Sequence, residues 1–399
     1  MNPLGRKWSR IALINLALVA LAGIFLRLKI LLPLTWLNHK YLLHAHSHFA
    51  FAGWVSLFLM AALVGTLPGK INKVYDKILF VYAISAYGMF LSFPFQGYGA
   101  VSIIFSTLSV LVSWWFAWQL WKDLHGESLN SQIAANIRWA LAFLVLSAAG
   151  TFFLAWLMAN KIDDARLYFG AVYFYLHFQY NGWFFFAIVS LFLSQVTTSL
   201  RQQLNKPLQW MAFACIPAFF LSALWMRLPD WMYITAVVAA VMQLLAFSWL
   251  LVLVIRKAGA QLHDPAVKQI WILSLLALTI KILLQSLSIF PSLSKYAFAY
   301  RPVVIGYLHL VLLGFVSLFL IGWLIRQGIL VTFRSRVPVS IWIFIVGILI
   351  TEATLMAQGF TAMFFIAIPH TNEMLLFAAI LLLAGIVWMN LQVKNNNGS

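Results

Sequence analysis

Apolar residues fall along this chain in runs of about 20 to 30, while charged residues, proline and glycine gather between the runs. A stretch of that length and character crosses a bilayer as one helix. The pattern predicts twelve spans, near 11–32, 42–66, 78–96, 98–121, 138–159, 167–196, 208–226, 231–255, 269–290, 303–325, 338–357 and 371–391. Several are rich in tryptophan and phenylalanine at their ends, as residues at a membrane interface are. The intervening loops are short, and Asn395 to Ser399 form the single polar tract.

Composition sharpens this picture. Of the 399 residues 64% are apolar and 9% charged, whereas soluble domains are about half apolar and a quarter charged. The expectation is one all-α polytopic membrane domain over residues 1–399, with no sizeable soluble part and with membrane lipid as its surroundings. The lone cysteine, Cys215, excludes a disulfide framework, a thiolate zinc site and an iron–sulfur cluster held by this chain alone. Any metal must rely on histidine.

The net charge of +17 would suggest nucleic acid in a soluble protein, but here the bases lie between apolar runs and report topology instead. Seventeen of the 26 lysines and arginines fall in the two tails and the 2–3, 4–5, 6–7, 8–9 and 10–11 loops. Eight fall on the other side, and Lys281 lies within span 9. The positive-inside rule then places both termini in the cytoplasm, as for a bacterial-type inner membrane protein. Met1 to Ala22, a basic start followed by an apolar run, can also be read as a cleaved signal peptide.

A short motif recurs. His48 to Trp54, His177 to Trp183 and His309 to Phe315 each read histidine, four residues, glycine, large aromatic, and the histidines stand 129 and 132 residues apart. The segments Gly53-Trp54-Val55-Ser56-Leu57-Phe58 and Gly314-Phe315-Val316-Ser317-Leu318-Phe319 are close copies. The chain therefore reads as three pseudo-symmetric four-helix units, roughly 1–125, 126–257 and 258–399. His48 lies eight residues beyond Lys40 and His309 eight beyond Arg301, which puts each about 12 Å past that charge. His177 lies about one turn deeper relative to Arg166. An interhelical hydrogen bond is the simpler role for one intramembrane histidine, but three at a repeated position beside a glycine suggest a flat ligand approached closely. Span 2 adds His44, on the face of His48, and His46, on the opposite face.

With these residues in view, the chain resembles the catalytic subunit of the heme–copper oxidase superfamily, particularly its C-type oxidase and nitric oxide reductase branches. The resemblance implies twelve helices in three four-helix arcs. It implies a bis-histidine low-spin heme b between spans 2 and 10, held by His309 and by His48, with His46 as the second choice, and flanked by Gly53 and Gly314. His177 matches the histidine that holds copper in that family, and His44 is a further metal candidate. Copper or a second heme, and a cytochrome or other respiratory subunit as partner, are implied in the same way.

The departures are specific. Tyr307 stands where the family has its high-spin heme ligand, span 7 lacks a histidine pair, and Asn181 replaces the tyrosine expected four residues after His177. The binuclear centre reads as reduced or lost, so a complete terminal oxidase is not expected. The chain also resembles the NnrS family through His44-Ala45-His46 and through Leu308-His309 with Gly314. Electron transfer, or handling of nitric oxide or another diatomic gas, is the function implied.

Lys281, with Gln285 one turn on, and Glu352 are ionisable groups within spans and mark a candidate proton path, or a structural pair. Lys40, Arg166, Lys295 and Arg301 lie at outer helix ends where heme propionates could be met. His370 is an interfacial candidate for the same role, while His39, His125 and His263 are given none. A transporter or channel with histidines lining a polar path is the alternative, as is a non-catalytic sensor or assembly subunit.

Overall fold

The computed structural model describes residues 1–69, 71–124, 129–226, 228–332 and 336–394. His125, Lys70, Arg227, Arg334 and the polar tail lie outside them. Among the described residues the long helices follow one another in the order α1 (Pro3–Leu31), α2 (His39–Thr66), α3 (Val74–Gln96), α4 (Ala100–Asp123), α5 (Ser131–Ala159), α6 (Ala165–Leu193), α7 (Thr198–Cys215), α8 (Asp230–Ala258), α9 (Pro265–Leu287), α10 (Arg301–Arg326), α11 (Val339–Ala362) and α12 (Thr371–Leu391). All except α7 are long and apolar enough to cross a membrane, eleven among the described residues. These are the helices of a multi-pass membrane protein.

Span 7 departs from expectation for a local reason. Its helix starts ten residues early, in the polar segment Thr198 to Lys206, and stops at Cys215. Pro217 then begins a 3-10 turn that runs to Ala223, because proline has no N–H for the ladder and collides with the preceding turn. A short helix, Pro291–Ala299, also precedes α10.

Helix starts are fixed by short polar side chains. Asn2 accepts from the Gly5 N–H and Asn38 from the Tyr41 N–H, at 2.9 and 3.1 Å. Asp164 accepts from the Arg166 N–H at 2.8 Å and Asp264 from the Ala266 N–H at 2.9 Å. Each satisfies a backbone donor that the first helical turn leaves without a carbonyl.

Contacts group the chain into two compact units. The first comprises residues 1–116, 264–275 and 301–399, and the second 117–263 and 276–300. Within the first, α11 and α12 pack backbone to backbone: a Cβ on Gly385 would stand 2.7 Å from the Ser340 carbonyl. Within the second, a Cβ on Gly150 of α5 would stand 2.6 Å from the Ala171 carbonyl of α6. Small residues let membrane helices approach this closely where lipid supplies no hydrophobic drive.

The three motif helices share a backbone irregularity. Stretches of π-helix run over Ala50–Ser56, Phe178–Phe184 and Leu310–Ser317, each starting one or two residues after the motif histidine. A π turn displaces the hydrogen-bond register and leaves carbonyls for other donors. In the first unit those carbonyls are taken by neighbouring helices: Asn15 Nδ2 donates to the Gly53 carbonyl at 2.7 Å, and Ser274 Oγ to that of Phe315 at 2.7 Å. Trp54 Nε1 donates to Ser317 Oγ at 2.9 Å, which ties the motif of α2 to that of α10.

Candidate functional site

The first unit gathers four of the candidate histidines. On α2, residues 44 and 48 share one face and 46 points away from it, as helical geometry requires. The face of His46 lies on α1. Its Nδ1 is 3.0 Å from the Val19 carbonyl, and a Cβ on Gly23 would stand 3.5 Å from its Cε1. A carbonyl can only accept, so Nδ1 carries the proton and the lone pair of His46 is on Nε2.

His309, the last α-helical residue before the π turn of α10, lies within electrostatic reach of His46 and of Arg27. Its Nδ1 is buried and has no hydrogen-bond partner. Arg27 continues the α1 row Val19, Gly23, Arg27 at four-residue intervals, and Arg301 and His39 interact with it in turn. Arg27 thus acts on both imidazoles, and Arg301 acts on Arg27. One turn from His309 toward Arg301, Gly306 faces α11, where a Cβ would meet Met356 at 2.6 Å and Glu352 Oε2 at 3.7 Å. Glu352 Oε1 is buried without a hydrogen-bond partner.

His48 is turned elsewhere. Its Nε2 is 3.0 Å from the Tyr98 hydroxyl, and its ring stacks on Phe93 with centroids 4.6 Å apart. Of the two α2 candidates, His46 is the one that acts electrostatically on His309. The repeat gives the depth of a residue along its helix but not its azimuth around the axis, and azimuth sets His46 against α1 and His48 against Phe93 and Tyr98. Gly53 packs on its own helix, where a Cβ would stand 2.6 Å from Phe49, and Gly314 is buried.

The second unit holds a different arrangement. His177 is buried with both ring nitrogens engaged: Asn181 Nδ2 donates to Nδ1 at 3.1 Å, and Nε2 donates to the Cys215 carbonyl at 2.8 Å. A metal at His177 would have to displace one of these partners. Lys281 Nζ donates to Asn181 Oδ1 and, at 2.6 Å, to Gln285 Oε1. Gln285 Nε2 continues to Gln243 Oε1 at 2.8 Å. The ammonium also faces the Tyr180 ring, 5.7 Å from its centroid. A buried chain of donors and acceptors so links α6, α7, α8 and α9.

The remaining candidates lie at the surface. Arg166 bonds to Asp164 at 3.2 Å, and that bond holds the Asp164 carboxyl below its ordinary range. Lys40, Lys295 and Arg301 are exposed, and the exposed His370 meets Glu373 at 3.5 Å. Sequence reasoning missed Val19, Gly23 and Arg27, although their four-residue spacing marks one face of α1. It also missed Phe93 and Tyr98, which carry no signal beyond being aromatic.

Among the described residues, no three histidine, cysteine, aspartate or glutamate side chains converge to hold a metal ion. A porphyrin iron asks for less, two imidazoles from two helices. The residues fit that demand: a histidine oriented through Nδ1, a second with a ring nitrogen lacking any partner, a glycine against the first ring, and the Arg27 guanidinium within electrostatic reach of both. Compared with known proteins, the chain matches no family model, and the search of curated proteins gave no match.

Proposed function

We propose that this chain is a heme b membrane protein of heme–copper oxidase type, in which His46 and His309 would hold the heme iron. The reading extends to twelve spans in three four-helix units with both termini cytoplasmic, in a bacterial-type inner membrane. One observation carries it: His309, with an unpartnered buried ring nitrogen, is within electrostatic reach of His46, whose tautomer the Val19 carbonyl fixes. Orienting a ligand histidine through its second nitrogen is how proteins set ring angle and basicity at an iron site.

A bound heme supplies one-electron chemistry and, with an open position, affinity for diatomic gases. The chain's own residues do the rest. Val19 orients His46, Gly23 leaves room beside its ring, and Arg27 and Arg301 offer charged donors to carboxylates. Copper is not assigned to His177, because its ring nitrogens already serve Asn181 and Cys215. With two histidines holding the iron, electron transfer with a respiratory partner fits better than diatomic-gas handling or complete oxygen reduction.

The experiment is an absorption spectrum of the purified protein, oxidised and reduced. A Soret band with sharp reduced α and β bands, lost in His309→Ala, is the expected result. A colourless, folded protein overturns the reading. It would favour the second one, proton or ion translocation, which the buried network around Lys281 supports.

A further inference from the structure

The face of α2 opposite His46 presents His44 and His48, one helical turn apart. Both rings pack against the same two aromatic residues of the first unit, Phe93 near the end of α3 and Tyr98 just after it. His44 meets the Tyr98 ring edge-on with centroids 4.7 Å apart, and His48 brings its Nε2 to 3.0 Å from the Tyr98 hydroxyl. The two imidazoles interact electrostatically with each other. His44 Nε2 is buried and has no hydrogen-bond partner.

The chain is bent to bring Tyr98 there. Gly97 ends α3 with φ +57°, a left-handed conformation that favours glycine, and a Cβ on it would stand 2.5 Å from the Tyr41 ring. Ser102 Oγ donates to the Gly97 carbonyl and holds the turn. Phe93, stacked on His48 at 14° between ring planes, restricts that imidazole's rotation.

We propose that His44 Nε2, His48 Nε2 and the Tyr98 hydroxyl oxygen form a binding site for one first-row transition-metal ion of the copper or zinc type. Histidines four apart on a helix point the same way, which is the spacing that lets one helix give two ligands to one metal. Donors bound to one ion at about 2.0–2.1 Å lie roughly 3 Å apart when adjacent, and the 3.0 Å between His48 Nε2 and the Tyr98 oxygen has that value. Two imidazoles and a phenol suit copper and zinc better than magnesium or calcium, and between the two divalent ions the affinity order favours copper. Coordination through Nε2 leaves each ring proton on Nδ1, and a phenol ligated as phenolate releases its proton to solvent. Lys40, one turn outward on the same face and exposed, has a flexible stem that can carry its charge into water. The site shares no ligand with the heme position, so it stands whether or not heme binds.

The test loads the purified full-length protein with Cu(II) or Zn(II), removes loosely held metal by desalting, and measures metal per chain. The expected result is about one tightly held ion, with retention at least about tenfold lower in His44→Gln and in His48→Gln. The copper form should show nitrogen couplings from two imidazoles in its paramagnetic resonance spectrum, and a phenolate-to-copper absorption that Tyr98→Phe removes. The resonance spectrum is read on the unsubstituted protein and so does not depend on a variant folding. Less than about a tenth of an equivalent retained by the unsubstituted protein, couplings from fewer than two imidazoles, or equal retention in both glutamine variants would overturn the site. Persistence of the phenolate band in Tyr98→Phe would remove Tyr98 from it.

Discussion

Lys281 shows how a single residue is made tolerable at membrane depth. Its ammonium has amide oxygens from Asn181 and Gln285 and the face of Tyr180, so it is buried but solvated by protein dipoles. The two ends of this contact are unequal. Lys281→Met removes the charge together with its need for acceptors, and keeps a long flexible side chain. The stability change should stay within about 1 kcal/mol. Asn181→Leu instead strips an acceptor from the ammonium and the donor from His177 Nδ1, and should cost about 3–5 kcal/mol. Thermal unfolding of the two variants in detergent checks this, and the reverse order of midpoints would show that Lys281 does not depend on Asn181. The sequence marked Lys281 and Gln285 by their spacing, but Asn181 looked like a missing tyrosine rather than the acceptor that makes Lys281 possible.

At the scale of helices, the repeated motif describes a backbone as well as a ligand. Each motif histidine precedes a π turn, and in α2 and α10 the released carbonyls are met by Asn15 and Ser274 from neighbouring helices. That coincidence was not legible beforehand, because hydrophobic periodicity assumes an unbroken 3.6-residue repeat. Span 7 was misplaced for a related reason: its apolar run continues past Pro217, but the α-helical ladder does not. Eleven of the twelve expected spans coincide with helices long and apolar enough to cross a membrane among the described residues, since run length marks such segments. Close helix pairs give a direct prediction. In Gly150→Ala the new methyl group would press on backbone atoms of Ala171 and Tyr175, at 2.6 and 2.8 Å, and neither can yield. A loss of about 1–3 kcal/mol is expected. In Gly170→Ala the nearest atom is the flexible tip of Met226 at 3.7 Å, so that change should be close to neutral. Unfolding midpoints that fall equally in both variants would argue against close α5–α6 packing.

Across the whole molecule, composition already fixed the membrane setting, whereas the identity of the facing histidines depended on rotation about the helix axis. His46 and His48 differ by two residues in sequence and by opposite faces in space, and no property of either residue says which face meets α10. The structure turns His48 to Phe93 and Tyr98 and His46 to the Val19 carbonyl, within electrostatic reach of His309. The most direct measurement is heme stoichiometry, read as reduced α-band absorbance per mole of folded protein, in His46→Ala, His48→Ala and His309→Ala side by side. Ligation by His46 and His309 predicts loss of the six-coordinate low-spin spectrum in those two variants and its retention in His48→Ala. Loss in His48→Ala with retention in His46→Ala, or no heme in the unsubstituted protein, would contradict it.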